Sequence, residues 1–154
     1  MQNNILIKAS GDVVDNTKFQ QFCKDQATKT QGQIVIICGS GKQINSNLQK
    51  RWYSIHYNDT GERIISCDIQ EQIVRDTLKA TTGHVEQIFK WYSNISVQWS
   101  WLEIAGVYCH INADTLVITY YLGFQDIYVF TFPWNKENKQ KHFAKYPKVQ
   151  IIEL

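Results

Sequence analysis

The sequence lacks the features that mark membrane-spanning, secreted or nucleic-acid-binding proteins. Its apolar runs are all shorter than the roughly 18–20 residues that cross a bilayer, and the N-terminus has neither the basic nor the apolar segment of a signal peptide. Its 16 basic and 14 acidic residues leave a net charge of +2, which favours neither a nucleic-acid nor a membrane-surface partner. We therefore expect a soluble, cytoplasmic protein with no nucleic-acid and no membrane partner.

The chain also lacks a paired-cysteine motif. Zinc sites usually take their ligands in close pairs, whereas the cysteines and the four histidines are scattered, so no metal site is predicted. Three of the four cysteines lie in apolar surroundings, and a free cysteine there behaves as a small core residue. Reduced thiols, buried where the surroundings are apolar, are therefore expected for Cys23, Cys38, Cys67 and Cys109 in preference to a metal or disulfide framework.

Apolar residues make up 44% of the 154 residues and aromatic residues 13%, which excludes a disordered chain and provides a core for one domain spanning residues 1–154. The apolar runs 5–8 and 33–38 flank a segment in which Phe19, Phe22, Cys23 and Ala27 share one helical face. A strand, a helix and a second, β-branched strand are typical of parallel sheets. We predict a layered α/β/α sandwich with a mainly parallel central sheet.

The rest of the chain gives weaker patterns. We expect a turn at 58–61, a strand at 62–66, and two helices covering 69–78 and 85–92 that Gly83 separates. A half-buried strand follows at 95–101, then a helix from Ala113 that ends at Gly123 and a buried strand at 126–131. The lysine-rich segment 136–148 is predicted to be a solvated loop before a last strand at 149–152.

Two strand ends carry glycine turns, Ser10-Gly11 and Gly39-Ser40-Gly41. Glycine lets backbone N–H groups approach an anion, and a following helix N-terminus adds a favourable dipole. With Lys8 at the end of the first strand, the two turns form a candidate phosphate cradle, although each alone is also compatible with an ordinary strand-to-helix turn. Neither the Walker A nor the dinucleotide-binding pattern fits residues 36–44.

Asp114 lies in the first turn of a helix that Asn112 can cap. A carboxylate there either complements the helix dipole or orients Lys8 beside a transferring phosphate. The spacing leaves both interpretations open.

Four segments in order resemble the amino-acid kinase superfamily, which includes acetylglutamate, aspartate, uridylate and carbamate kinases. Residues 5–11 are similar to its strand followed by Lys-x-Gly-Gly, and residues 34–45 to its strand followed by a glycine triplet. Residues 61–64 (Gly-Glu-Arg-Ile) are similar to a Gly-x-Arg-Val element, and residues 110–115 (His-Ile-Asn-Ala-Asp-Thr) to Asn-x-Asn-Ala-Asp. The match is shortened at the C-terminus, where family kinases continue with a further nucleotide-facing segment.

The resemblance implies a small-molecule kinase that transfers a phosphoryl group from ATP, with Mg²⁺, to a carboxylate or phosphate acceptor. It implies catalytic roles for Lys8 and Asp114. It assigns phosphate or nucleotide contacts to Ser10, Gly11, Gly39, Ser40, Gly41 and Thr131, and substrate contacts to Arg63, His110 and Asn112.

A different class of function stays open. Ser10 and Ser40 replace family glycines, which favours a degenerate, noncatalytic ligand-binding or subunit-forming domain that retains the kinase fold. The aromatic residues Trp91, Tyr92, Trp99 and Trp101 would then either line an interface in a homo-oligomer or with a partner subunit, or pack in the core.

Overall fold

The computed structural model describes residues 3–59 and 61–154. Strands and helices alternate along most of the chain. They are β1 (Ile5–Ala9), α1 (Thr17–Lys29), β2 (Ile34–Cys38), α2 (Gly41–Gln49), β3 (His56–Tyr57), β4 (Arg63–Ile64), α3 (Asp68–Phe89), β5 (Ile95–Trp99), β6 (Trp101–Ile104), β7 (Val107–His110), α4 (Ala113–Tyr120), a short 3-10 helix (Tyr121–Gly123), β8 (Asp126–Thr131), α5 (Pro133–His142) and β9 (Val149–Glu153).

A five-stranded sheet in the order β5-β2-β1-β8-β9 forms the centre of the molecule, and each pair of neighbours is parallel. Helices cover both of its faces, so the predicted layered α/β/α architecture with a parallel central sheet is confirmed. Two antiparallel ribbons, β3–β4 and β6–β7, lie outside this sheet.

Alternation along β1 decides which side chains enter which layer. Ile5 and Ile7 pack in a cluster with residues of α1 and the end of α3, whereas Leu6 packs in the opposite cluster with residues of α4. Successive side chains of a strand point to opposite faces. Lys8 therefore follows Leu6 onto the α4 side, at the carboxyl end of the strand.

A third cluster joins α2 and the first half of α3 to the β6–β7 ribbon. Ile44 and Leu48 of α2 pack in it with Leu78 of α3 and with Trp101, which is 3% exposed. Core packing is therefore the role of Trp101. Trp91, by contrast, is 84% exposed.

Two helix predictions are wrong. Gly83 does not separate two helices, because α3 runs without interruption from Asp68 to Phe89. The cost of about 1 kcal/mol for one glycine in a helix is small beside the burial of residues such as Val74, Leu78 and Val85 on this helix. The lysine-rich segment is not a loop either, since its first part forms α5, with Pro133 in the first turn, where proline is tolerated.

The predicted strand over 95–101 is divided. Residues 95–99 pair with β2 in the central sheet, while Trp101 begins the β6–β7 ribbon. The strand expected at 62–66 is limited to the two residues of β4. In the predicted turn at 58–61, the Gly61 amide donates to the Asn58 carbonyl at 3.0 Å, and Thr60 lies outside the described residues.

The prediction of buried, reduced thiols is correct for two of the four cysteines. Cys23 and Cys38 are buried, whereas Cys67 and Cys109 are exposed, and all four are free. Burial raises the pKa of Cys38 to about 12, which keeps that thiol protonated and unreactive.

Over residues 3–59 and 61–154, no helix has the length and apolar character that crossing a membrane requires.

Candidate functional site

The carboxyl ends of β1 and β2 meet the N-terminus of α4 around an open cavity of about 230 Å³. Ligands of parallel α/β sheets bind at this edge. The β3–β4 ribbon, the end of the β6–β7 ribbon and α5 complete the walls. The lining residues are Lys8, Ser10, Gly39, Ser40, Gly41, Tyr57, Gly61, Glu62, Arg63, Ser100, His110, Asn112, Ala113, Asp114 and Lys139.

One carboxylate at the base of the cavity pairs with two ammonium groups. Lys8 Nζ lies 3.1 Å from Asp114 Oδ1, and Lys139 Nζ donates a hydrogen bond to Asp114 Oδ2. All three side chains are largely buried. The structure therefore brings Lys8 and Asp114 together in one cavity, and α5 adds a second lysine.

The charges in this cluster act strongly on one another. Burial alone would raise the pKa of Asp114, but the ammonium groups of Lys8 and Lys139 hold it well below its ordinary value. Burial and the neighbouring Lys8 ammonium lower the pKa of Lys139, although Asp114 opposes them. The cluster thus carries more positive than negative charge, which suits a bound anion.

Asp114 is held in place by the start of α4. The Asn112 side chain caps this helix by accepting a hydrogen bond from the Asp114 amide at 2.9 Å, as the sequence predicts. The turn after β2 lies close to the start of α4: a Cβ on Gly39 would be 3.4 Å from the Cβ of Ala113. The N-terminal ends of α2 and α4 therefore open on the same cavity, and both helix dipoles favour an anion there.

Ser40 contributes a hydroxyl group to this cavity. The residue precedes α2 and is 2% exposed, and within the described part of the chain its Oγ has no hydrogen-bond partner. Buried hydroxyl groups in proteins are almost always hydrogen-bonded. An unpartnered one in a cavity lined by cations is a donor available to a ligand oxygen.

Arg63 is fixed at the rim by α2. Its Nη2 donates to Asn45 Oδ1 at 2.6 Å and to the Gly41 carbonyl at 3.2 Å, and its guanidinium lies over the Tyr57 ring. The Nε is buried and, among the described residues, has no partner. One N–H of this guanidinium therefore stays available for an anionic ligand.

His110 closes the side of the cavity formed by β7. Its ring packs on that of Trp101 with the ring centroids 6.4 Å apart. Burial, together with the positive charge of Arg63, lowers the pKa of His110 to about 4. The imidazole is therefore neutral at physiological pH in the unliganded protein.

Two predicted site residues do not line this cavity. Gly11 packs against the side chain of Gln43, whose amide atoms would lie 2.4–2.7 Å from a Cβ at this position. Glycine at this position therefore leaves room for the Gln43 side chain. Thr131 ends β8, is 4% exposed, and its Oγ1 donates to the Phe132 carbonyl at 3.4 Å.

Lys139 is the site residue that the sequence interpretation did not place. The residues of α5 are mostly polar and none is fully buried, so the helix has no apolar stripe. The available signals were Pro133 at its start and basic residues in its last turn, which are typical of helix ends. Tyr57 and Ser100 were also missed, since nothing in the local sequence singles them out, and Glu62 occupies the position of the 61–64 element to which no role was assigned.

The residues present do not form a metal site of their own. The described ranges contain no group of three or more histidine, cysteine, aspartate or glutamate side chains that could hold an ion. The carboxylate at the base of the cavity already pairs with two lysines. The donor set therefore fits an oxyanion and does not fit Mg²⁺ bound by the chain itself.

Comparison with known proteins shows the fold. No protein-family model matches the chain, and no curated protein matches it in sequence. Among solved structures, the chain is similar to the crystal structure of smu.665 from Streptococcus mutans UA159, with a TM-score of 0.68. The two chains share 18% identity over 85% of this chain and 73% of that one. At this identity the similarity concerns the layered α/β architecture alone.

Proposed function

We propose that the chain is a small-molecule kinase of the amino-acid kinase type, which transfers the γ-phosphoryl group of ATP to a carboxylate or phosphate acceptor. The observation that carries the proposal is the buried Lys8–Asp114–Lys139 cluster at the sheet edge. Phosphoryl transfer depends mainly on positioning and on stabilising negative charge, and this cluster offers two oriented ammonium groups.

In the proposed reaction an acceptor oxygen attacks the γ-phosphorus. The bond from that phosphorus to the oxygen it shares with the β-phosphorus breaks, and ADP leaves with the electron pair. A carboxylate acceptor is already ionised, so no proton has to be removed. Lys8 and Lys139 stabilise charge on the phosphoryl oxygens, while Asp114 keeps both ammonium groups directed into the cavity.

The neighbouring groups suit the two substrates. The backbone of Gly39 and Gly41 and the Ser40 hydroxyl line the cavity and would donate to phosphate oxygens. Arg63, with Asn112 and His110, lines the same cavity and would bind an acidic acceptor. Mg²⁺ would be held chiefly by the nucleotide phosphates and water, since the chain offers no ligand cluster for it.

The test is turnover of MgATP with a panel of small carboxylic acids, with acyl phosphates trapped by hydroxylamine and ADP measured separately. We expect wild-type activity and its loss in Lys8→Met, which keeps a long side chain at the buried position. Lys141→Met is the matched control, because Lys141 pairs with Glu137 on the exposed side of α5. Activity retained in a folded Lys8→Met variant would remove the assignment.

A noncatalytic binding or subunit-forming domain is the second candidate. It is favoured by Ser40, whose side chain occupies the cavity where the similar family has a glycine, and by Trp91, which is 84% exposed. For this function, MgATP or an acidic ligand would raise the melting temperature without turnover of any acceptor, and size-exclusion chromatography would detect a dimer that Trp91→Ser disrupts.

A further inference from the structure

We propose that His110 takes up a proton when an oxyanion enters the cavity and then binds that anion as a cation. The identity of this anion, the phosphoryl group or the acidic acceptor, rests on the proposed function, whereas the uptake of the proton does not. His110 would thus be a specificity-determining residue that makes anion binding stronger as the pH falls.

The geometry places the imidazole among cations and against an aromatic ring. His110 lines the cavity with Arg63, and its ring packs on Trp101. The remaining charged or titratable side chains that line the cavity come from β1, β3, the residue before β4, α4 and α5, and they are Lys8, Tyr57, Glu62, Asp114 and Lys139. From α3, Arg75 lies over the ring of the adjacent Tyr108.

Most of these charges disfavour protonation of His110. The lining side chains include three cations (Lys8, Arg63 and Lys139) against two carboxylates (Glu62 and Asp114), and Asp114 is committed to both lysines. Burial and the charge of Arg63 lower the pKa of His110 to about 4. Without a ligand the ring therefore remains neutral near pH 7 and supplies one N–H donor and one nitrogen acceptor.

A bound oxyanion reverses the local balance. Its negative charge offsets that of Arg63 and accepts hydrogen bonds that strengthen when the donor is charged. The protonated ring is then favoured, and the pKa of His110 rises on binding. By linkage, a group that gains protons on binding makes the affinity increase as the pH decreases.

The size of the effect follows from the two protonation equilibria. If the bound anion returns the pKa of His110 from about 4 to its ordinary value of 6.5, affinity increases about tenfold between about pH 7.5 and about pH 5.5. Sulfate is the appropriate probe, because it keeps its double charge across this range and is not a substrate for transfer.

The experiment is calorimetric titration of the full chain with sulfate at both pH values and at constant ionic strength. We expect the roughly tenfold increase in wild type and in His56→Asn, whose exposed histidine lies on β3 outside the cavity lining. In His110→Asn the increase should disappear. Proton uptake is measured in parallel by repeating the titration in buffers of different ionisation enthalpy.

Any of three results would overturn the proposal. The first is an affinity in wild type that changes less than twofold with pH, and the second is a full pH dependence retained in His110→Asn. The third is no sulfate binding at the lower pH. None of these measurements requires ATP, so the failure of this inference is distinguishable from failure of the kinase assignment, which depends on turnover. NMR titration of the His110 ring reads its protonation directly and needs no activity assay, and a pKa of His110 that sulfate leaves unchanged would also overturn the proposal.

Discussion

Asp114 experiences three effects at one position: burial, two neighbouring ammonium groups and the N-terminus of α4. Burial alone would disfavour its charge, but the two lysines and the helix dipole favour it. The carboxylate therefore stays ionised in the interior, and it holds Lys8 and Lys139 at fixed positions. Removing it would leave two like charges facing each other without a counterion.

We predict that Asp114→Asn lowers the free energy of unfolding by about 3–5 kcal/mol at neutral pH, as breaking a buried ion pair does. Because the folded pKa of Asp114 lies below its ordinary value of 3.8, its contribution is complete above about pH 4–5 and decreases as the pH falls further. Urea unfolding at about pH 7, 5 and 3 measures this. An unchanged difference between wild type and variant at the lowest pH contradicts it, and Glu137→Gln is the exposed control.

Lys139 should be as important for activity as Lys8, although it lies in a helix that the sequence does not single out. We predict that Lys139→Met lowers the rate of phosphoryl transfer about 10²–10³-fold, the effect of removing one preorganised donor from developing charge. Lys141→Met, two residues along α5, should change the rate less than about twofold. Equal rates for the two variants would show that Lys139 serves only to balance the charge of Asp114.

At the scale of elements, local strand and helix patterns in the sequence indicate three parts of the site. The alternation in β1 assigns Lys8 to one face, the glycine turn after β2 positions Ser40, and the Asn112 cap fixes the start of α4. These signals are local. The position of α5 depends on how it packs on β8 and β9, and a helix without an apolar stripe gives no local sign of such packing.

Gly83 is the opposite case, because the helix break that this glycine predicts does not occur. Tertiary burial of one face of α3 keeps the helix continuous through the glycine. Within the described part of the chain, a Cβ at this position would meet no atom within 4 Å apart from its chain neighbours and the backbone of α3 itself.

We predict that Gly83→Ala stabilises the protein by about 0.5–1 kcal/mol, because alanine loses less backbone entropy in a helix. Thermal unfolding should show a rise of about 2 °C in melting temperature. Gly11→Ala is the informative contrast and should destabilise, since the Gln43 side chain occupies the required space. A decrease in stability for Gly83→Ala would mean that α3 bends or breaks at this position.

At the scale of the whole molecule, the cavity combines segments from distant parts of the chain. Parallel strands bring Lys8 and the turn after β2 to one edge, the two ribbons add Arg63 and His110, and α5 adds Lys139. The positions of the ribbons were not predictable from sequence, because β3 and β4 contain two residues each. The sequence did predict a cradle formed by Lys8 and the two glycine turns, and Lys8, Ser10 and the turn after β2 line the cavity, whereas Gly11 does not.

The most direct test of the central claim is a crystal structure of the protein soaked with Mg²⁺ and a nonhydrolysable ATP analogue. We expect the γ-phosphate to lie within hydrogen-bond distance of Lys8 Nζ and Lys139 Nζ, with a phosphate oxygen on the Ser40 hydroxyl. A nucleotide bound elsewhere, or phosphates that contact neither lysine, would rule out this role of the cavity.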